Sequence, residues 1–158
     1  MKIVMGSDHV GYELKKELAD YMRMKGHTVE DVGTNNTARA EYPIYGRLAA
    51  DKVGKGDADR AVLICGTGFG IALAANTVKG VRCVNATDPF TVKLSRMHNN
   101  ANAISFGGRV IGIELAKMLL DIWLTTDFEG GRHADRVDML EEMEDFPKPG
   151  AYTASMQL

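Results

Sequence analysis

The sequence predicts an α/β fold in three layers: a five-stranded parallel sheet with helices on both faces, followed by a C-terminal helical segment. Three observations carry that reading. Short apolar runs alternate five times with stretches of helical periodicity. The third run, Ala61-Val62-Leu63-Ile64-Cys65, is apolar throughout, as a strand covered on both faces requires. Glycines punctuate the runs where the chain must turn.

Taken in order, Lys2 to Met5 reads as a strand ended by Gly6. From Gly11 to Lys25, Leu14, Leu18, Tyr21 and Met22 recur at helical spacing, and Gly26 is placed to cap that helix. Thr28 to Val32 is the second strand. Glu41-Tyr42-Pro43 opens a helix carrying Tyr45, Leu48, Ala49 and Val53, which stops in Gly54-Lys55-Gly56-Asp57. The third strand runs into Gly66-Thr67-Gly68-Phe69-Gly70 and then a small-residue helix from Ile71 to Val78. Val81 to Ala86 and Ala103 to Phe106 are the fourth and fifth strands. Pro89 to His98 and Ile113 to Leu124 are the helices that follow them. After Gly130-Gly131 an amphipathic segment spans about Ala134 to Glu144. Residues 1–144 are expected to form one domain, and 145–158 a loosely ordered tail with no periodicity.

The chain has 158 residues, with 45% hydrophobic and 25% charged side chains, the mix of a folded domain rather than a disordered or collagenous chain. Nineteen basic against 21 acidic residues leave a net charge of −2, which gives no electrostatic ground for nucleic acid or an anionic membrane as partner. No stretch reaches the ~20 apolar residues of a membrane span. Nothing in Met1 to Gly6 reads as a secretory leader, and two cysteines make no disulfide framework, so a cytoplasmic location is expected.

In folds of this class ligands bind beyond the carboxyl ends of the strands. Asp8-His9, Cys65 to Gly70, and Asp88 all fall there. The glycine loop reads either as an anion or oxyanion site or as a tight strand-to-helix turn. It is neither the dinucleotide fingerprint, because Ile71 stands where the third glycine would fall, nor a phosphate loop ending in Gly-Lys-Ser/Thr. Cys65 opens that loop at a helix N-terminus and is a candidate base or nucleophile, or a buried apolar thiol. His9 is a ligand-binding or a turn residue. His98, at a helix end, is functional or a C-terminal cap. His27 and His133 read as exposed. Arg132 and Arg136 are four apart and share a helix face, suited to a phosphate or to pairing with Asp135 and Asp138. Asp8, His9, Cys65 and His98 have metal-ligand chemistry but no metal-ligand spacing.

Read together, several stretches resemble the type B ribose-5-phosphate isomerase family, which includes galactose-6-phosphate isomerase subunits and allose-6-phosphate isomerases. They are Gly6-Ser7-Asp8-His9-Val10-Gly11, Tyr42-Pro43, Ile64-Cys65-Gly66-Thr67-Gly68-Phe69-Gly70 and Ala74-Ala75-Asn76. Further along come Ser95-Arg96-Met97-His98-Asn99, Asn102, Phe106-Gly107-Gly108-Arg109-Val110 and Glu129-Gly130-Gly131-Arg132-His133. The set keeps the family's order over about residues 1–140.

The resemblance implies a three-layer Rossmann-like fold and an aldose–ketose isomerisation through an enediolate, with no cofactor and no metal. It implies Cys65 as the base between C1 and C2, Thr67 assisting it, and the loop amides of Gly66, Gly68, Phe69 and Gly70 facing the developing oxyanion. His98 would open the sugar ring. Asp8 and Asn99 would hold hydroxyls, and Tyr42 would line the pocket. His9, Arg109, Arg132 and Arg136 would take the phosphate. A phosphosugar substrate and a homodimer or dimer of dimers with a shared site are the implied partners. Glu41, Asn85-Ala86-Thr87-Asp88-Pro89 and Gly107-Gly108-Arg109 depart from the commonest family pattern and leave the sugar's length open. A non-catalytic phosphosugar-binding module is the alternative outside enzymology.

Overall fold

The computed structural model describes residues 1–144; the expected tail, 145–158, lies outside the described residues. The elements are β1 (Lys2–Ser7), α1 (Tyr12–Met24), β2 (Thr28–Asp31), α2 (Tyr42–Gly54), β3 (Arg60–Cys65), α3 (Phe69–Ala75), β4 (Cys83–Asn85), α4 (Pro89–Asn99), β5 (Ala103–Gly107), α5 (Ile113–Thr125) and α6 (Arg132–Glu144). The five strands form one parallel sheet in the order β2-β1-β3-β5-β4.

Alternation along the strands sorts the core into two layers. Ile3, Met5, Val62, Ile64, Ile104 and Phe106 point to one face and pack with Leu18 and Met22 of α1, Val92 of α4, and Leu119, Leu120 and Trp123 of α5. Val4, Leu63, Cys65 and Ala103 point to the other face and pack with Ala49 and Ala50 of α2 and Ile71 and Ala75 of α3. The large members of the first layer are fully buried, each worth about 1.5–3 kcal/mol relative to exposure. Right-handed crossovers produce this sorting. Connections that step one way along the strand order, β1 to β2 and β4 to β5, put α1 and α4 on one face, and those that step the other way, β2 to β3 and β3 to β4, put α2 and α3 on the other.

Three expectations shift. Helix α3 begins at Phe69, because Gly68 alone, at φ 83°, makes the turn and the next residues are already helical; the helix stops at Ala75, short of Val78. Strand β4 shrinks to Cys83–Asn85, since as an edge strand it pairs with β5 alone. Helix α6 starts two residues early, at Arg132, straight out of Gly130 and Gly131 at φ 67° and 55°.

Candidate active site

The chain runs outward in opposite directions from the neighbouring strands β1 and β3, which opens a crevice at their carboxyl ends. Asp8 lies there, 5% exposed, its backbone N–H bonded to Ile64 O at 3.3 Å. Asp8 Oδ1 accepts the N–H groups of Val10 and Gly11 at 2.9 and 3.1 Å, so one carboxylate oxygen anchors the turn into α1. His9 Nδ1 lies 3.2 Å from the Ala40 N–H and 3.3 Å from the Ala40 carbonyl oxygen, which holds the ring against the loop ahead of α2.

Across the crevice Cys65 is buried, and the Gly68 N–H donates to its Sγ at 3.2 Å. That contact strengthens when negative charge sits on sulfur. A Cβ on Gly68 would collide with the Asn85 amide and come within 2.9 Å of the Phe106 carbonyl carbon, so only glycine closes this turn. A Cβ on Gly70 would stand 2.7 Å from the Tyr42 ring, which places Tyr42 against the loop. Thr67 and Phe69 are exposed, and Thr67 Oγ1 accepts the Phe69 N–H at 3.4 Å. The Arg109 N–H donates to Gly66 O at 3.1 Å, and its guanidinium lies beside Gly66. Asp8, His9, Tyr42, Cys65 to Gly70 and Arg109 therefore form one group.

The other expected residues form a second group at the amino edge of the sheet. Helix α4 carries the chain back down, and its C-terminus is tied there: Arg82, just ahead of β4, donates to Asn99 O and Asn100 O at 3.1 and 3.3 Å. Arg96, 6% exposed, donates to Asn100 Oδ1, Ala101 O and Thr126 O. Loss of hydration brings that guanidinium's pKa down to about 10. His98, beside these ties, stacks on His133 of α6 with ring centroids 4.1 Å apart and planes within 4°. Glu129 Oε2 approaches both rings, at 3.8 Å from His98 Nε2 and 3.5 Å from His133 Nε2. Arg132 and Arg136 are exposed on the same helix and make no salt bridge among the described residues.

Within one chain the two groups do not meet. Ala61 pairs with Ala103 at the amino edge and Cys65 with Gly107 at the carboxyl edge, four residues or about 13 Å of strand apart. Helix α4 descends about 16 Å between Pro89 and Asn99. The faces differ as well: Cys65 points into the α2 and α3 layer, whereas α4 packs on the other. A metal set of Asp8, His9, Cys65 and His98 is thus not assembled in the chain.

Three other expectations are corrected. Asp88 is the N-cap of α4, its carboxylate accepting from Thr91 N at 2.9 Å and from the Thr91 hydroxyl; these bonds lower its pKa. His133 is buried at 6% exposure because α6 folds back over α4. His27 is half-buried, its Nδ1 enclosed. Sequence reasoning also missed Lys15, which is fully buried and donates to Asp31 Oδ1 at 2.8 Å and Thr34 O at 2.6 Å, fastening the loop that leads to Tyr42. Its signal was a lysine in helical register with Leu18 and Met22 on the apolar stripe.

A parallel sheet with an acid, a thiol and a glycine loop at its switch point defines an α/β enzyme of the Rossmann-like class, and comparison with known proteins makes the class specific. The family profile described as Ribose/Galactose Isomerase matches residues 3–140. Ribose-5-phosphate isomerase B of Escherichia coli K12 is 46% identical over 143 residues, covering 90% of this chain and 96% of that one. Galactose-6-phosphate isomerase subunit LacB of Clostridium acetobutylicum is 42% identical over 129 residues, 82% of this chain and 75% of its own. Among solved structures, Clostridium thermocellum ribose-5-phosphate isomerase B superposes with a TM-score of 0.90 at 46% identity, covering 91% of this chain and 97% of that one. The Mycoplasma genitalium ribose-5-phosphate isomerase B with bound ribulose-5-phosphate does so at 0.87 and 39%, covering 90% and 95%. The chain belongs to the ribose/galactose isomerase family of sugar-phosphate isomerases. It is an isomerase of the type B ribose-5-phosphate kind.

Proposed function

We propose that this enzyme interconverts ribose 5-phosphate and ribulose 5-phosphate, in a site completed by a second copy of the chain. The observation that carries the reading is the division of the expected residues between opposite edges and faces of the sheet. A two-fold pair repairs that division, because the carboxyl-edge group of each chain then meets the amino-edge group of the other. Exposed apolar side chains flank both halves: Ile44, Leu48, Phe69 and Leu73 beside the glycine loop, and Met139 and Leu140 on α6. Such a surface is suited to burial in an interface.

In the completed site His98 passes the proton of the anomeric hydroxyl to the ring oxygen as the bond from C1 to that oxygen breaks, which opens the sugar. Cys65 then removes the proton from the carbon next to the carbonyl and returns it to the neighbouring carbon, with Thr67 beside it. A thiolate alone is too weak a base for such a carbon acid. Donors aimed at the enediolate oxygen supply the missing stabilisation, about 2.7–4 kcal/mol for each one in comparable oxyanion sites, and the candidates are the glycine-loop amides other than those of Gly68 and Phe69, which donate to Cys65 Sγ and Thr67 Oγ1. Asp8, through its second carboxylate oxygen, and Asn99 hold hydroxyls against Tyr42. His9 and Arg109 from one chain and Arg132 and Arg136 from the other take the phosphate. Its binding energy orients a carbon chain that reacts several bonds away. These steps call on side chains and amides alone. Among the described residues no helix is long and apolar enough to cross a membrane, and both cysteines are free, which supports a cytoplasmic site of action.

The deciding experiment is turnover of ribose 5-phosphate and allose 6-phosphate at equal concentration, with chelator present. Faster conversion of the pentose supports the assignment. Preference for the hexose keeps the chemistry and changes the substrate, a reading favoured by the galactose-6-phosphate relative and the departures at Asn85 to Pro89. Calorimetric binding with no conversion of either, or of galactose 6-phosphate, would overturn it in favour of a binding module.

A further inference from the structure

The amino-edge group holds more ligand chemistry than ring opening uses. The donor atoms of His98, Glu129 and His133 lie within 4.8 Å of one another, with both Nε2 atoms turned to the same carboxylate oxygen. We propose that these three side chains bind a divalent transition-metal ion of zinc-like chemistry, and that its binding blocks the isomerisation.

Three features support the site. His133 is 94% buried, and its Nε2 finds no hydrogen-bond partner among the described residues although it faces the cluster. Buried polar atoms are nearly always satisfied, so an unsatisfied one aimed at two other donors points to an absent ligand. The framework behind the donors is fixed. The Glu129 N–H donates to Met97 O at 3.0 Å and the His133 N–H to Gly130 O at 3.1 Å, with Gly130 and Gly131 making the turn between. Finally, the donor set selects its ion. Two imidazoles and a carboxylate suit zinc, cobalt(II) or nickel, whereas magnesium and calcium require oxygen ligands. Arg132 and Arg136 on the same helix oppose a cation held by charge alone.

Binding requires a small rearrangement. Metal–imidazole bonds are ~2.0–2.1 Å long and lie in the ring plane, so two parallel rings cannot both reach one ion. One ring must rotate out of the stack. His98, whose side chain is 35% exposed, has the room, and the Glu129 carboxylate at 43% follows it. Three protein donors leave a coordination position open to water. His98 Nε2, once bound to metal, no longer exchanges a proton with a sugar ring oxygen. The block thus rests on the proposed role of His98, but the metal site itself does not.

The test uses tag-free, full-length protein carrying Cys65→Ala, which removes the site thiol as a competing ligand. Cobalt(II) is titrated in and followed by its visible absorption. Saturation at one ion per chain is expected, and His133→Ala or Glu129→Gln in that background should weaken binding more than about tenfold, since loss even of a supporting residue costs that much. Glu129→Gln alters an exposed side chain and keeps the test intact if His133→Ala does not fold, with circular dichroism as the control. In the unsubstituted enzyme, zinc is expected to cut turnover about tenfold or more and chelator to restore it. Absence of a bound-cobalt spectrum, or binding indifferent to both substitutions, overturns the site. Zinc inhibition undiminished by Glu129→Gln assigns the ion to Cys65 and overturns it too. Cobalt binding without loss of turnover overturns the block. Because cobalt binding is read without substrate, its result is separate from that of the isomerase assignment.

Discussion

Two variants that are each inactive should restore activity when they share a dimer. Cys65→Ala removes the base from the carboxyl-edge half, and His98→Ala removes the ring-opening group from the amino-edge half. Each is expected to lose roughly 10²–10⁴-fold alone, the range for a positioned acid or base. Cys65 points into the α2 and α3 layer, whereas α4, which ends in His98 and Asn99, packs on the other face of the sheet, so in the proposed arrangement each site draws one from each chain. In a mixed dimer one site then carries both defects and the other carries none. Random reassortment makes about half the dimers mixed, which restores about a quarter of the unsubstituted activity. The assay is turnover of the better sugar phosphate after co-expression or joint refolding, with each variant treated alone as the baseline. Activity that stays at the sum of the two parents, in a sample shown to contain mixed dimers, would refute the division of the site between chains.

Three further outcomes follow from the local physics. Gly68→Ala forces a side chain into positive φ and against Asn85 and the Phe106 backbone, so it should distort the loop and lower kcat far more than KM. Asp31→Ala leaves the buried Lys15 ammonium with a carbonyl as its remaining hydrogen-bond partner. It should cost about 3 kcal/mol in urea unfolding, the low end of the range for breaking buried pairs because Asp31 is itself partly exposed. His133 and His27 both titrate below the ordinary histidine range, chiefly because burial disfavours the charged ring. As pH falls through about 6.5 and below, the unfolded chain takes up these protons first. Stability should be complete above that range and decline beneath it, with a smaller decline in His27→Gln; an unchanged urea midpoint from pH 7.5 to 5.5 would contradict this.

Much of the carboxyl-edge half was legible in the order of residues. Strand β3 and the glycines behind it form a contiguous piece of chain, and a parallel sheet puts every strand end on one edge. Asp8, Cys65 and the loop could therefore be placed together without coordinates. The resemblance to a family added roles and the expectation of a site shared between subunits. His98 reads from the sequence as the end of the fourth helix, and only the structure shows that this helix has by then returned to the amino edge. Asp88 looked like a site residue because it stands past a strand end, but its carboxylate is occupied by the helix it starts.

Local patterning, then, determined the alternation of strands and helices, the two-sided burial of β3 and the glycine-only turn after Cys65, because each depends on neighbours in sequence. Tertiary structure alone decided which strands sit side by side, which face each side chain takes, and that His133 is buried against His98 beneath Glu129. Those contacts join residues far apart along the chain, and their strength depends on distance and exclusion of water, neither of which is written in the order of residues.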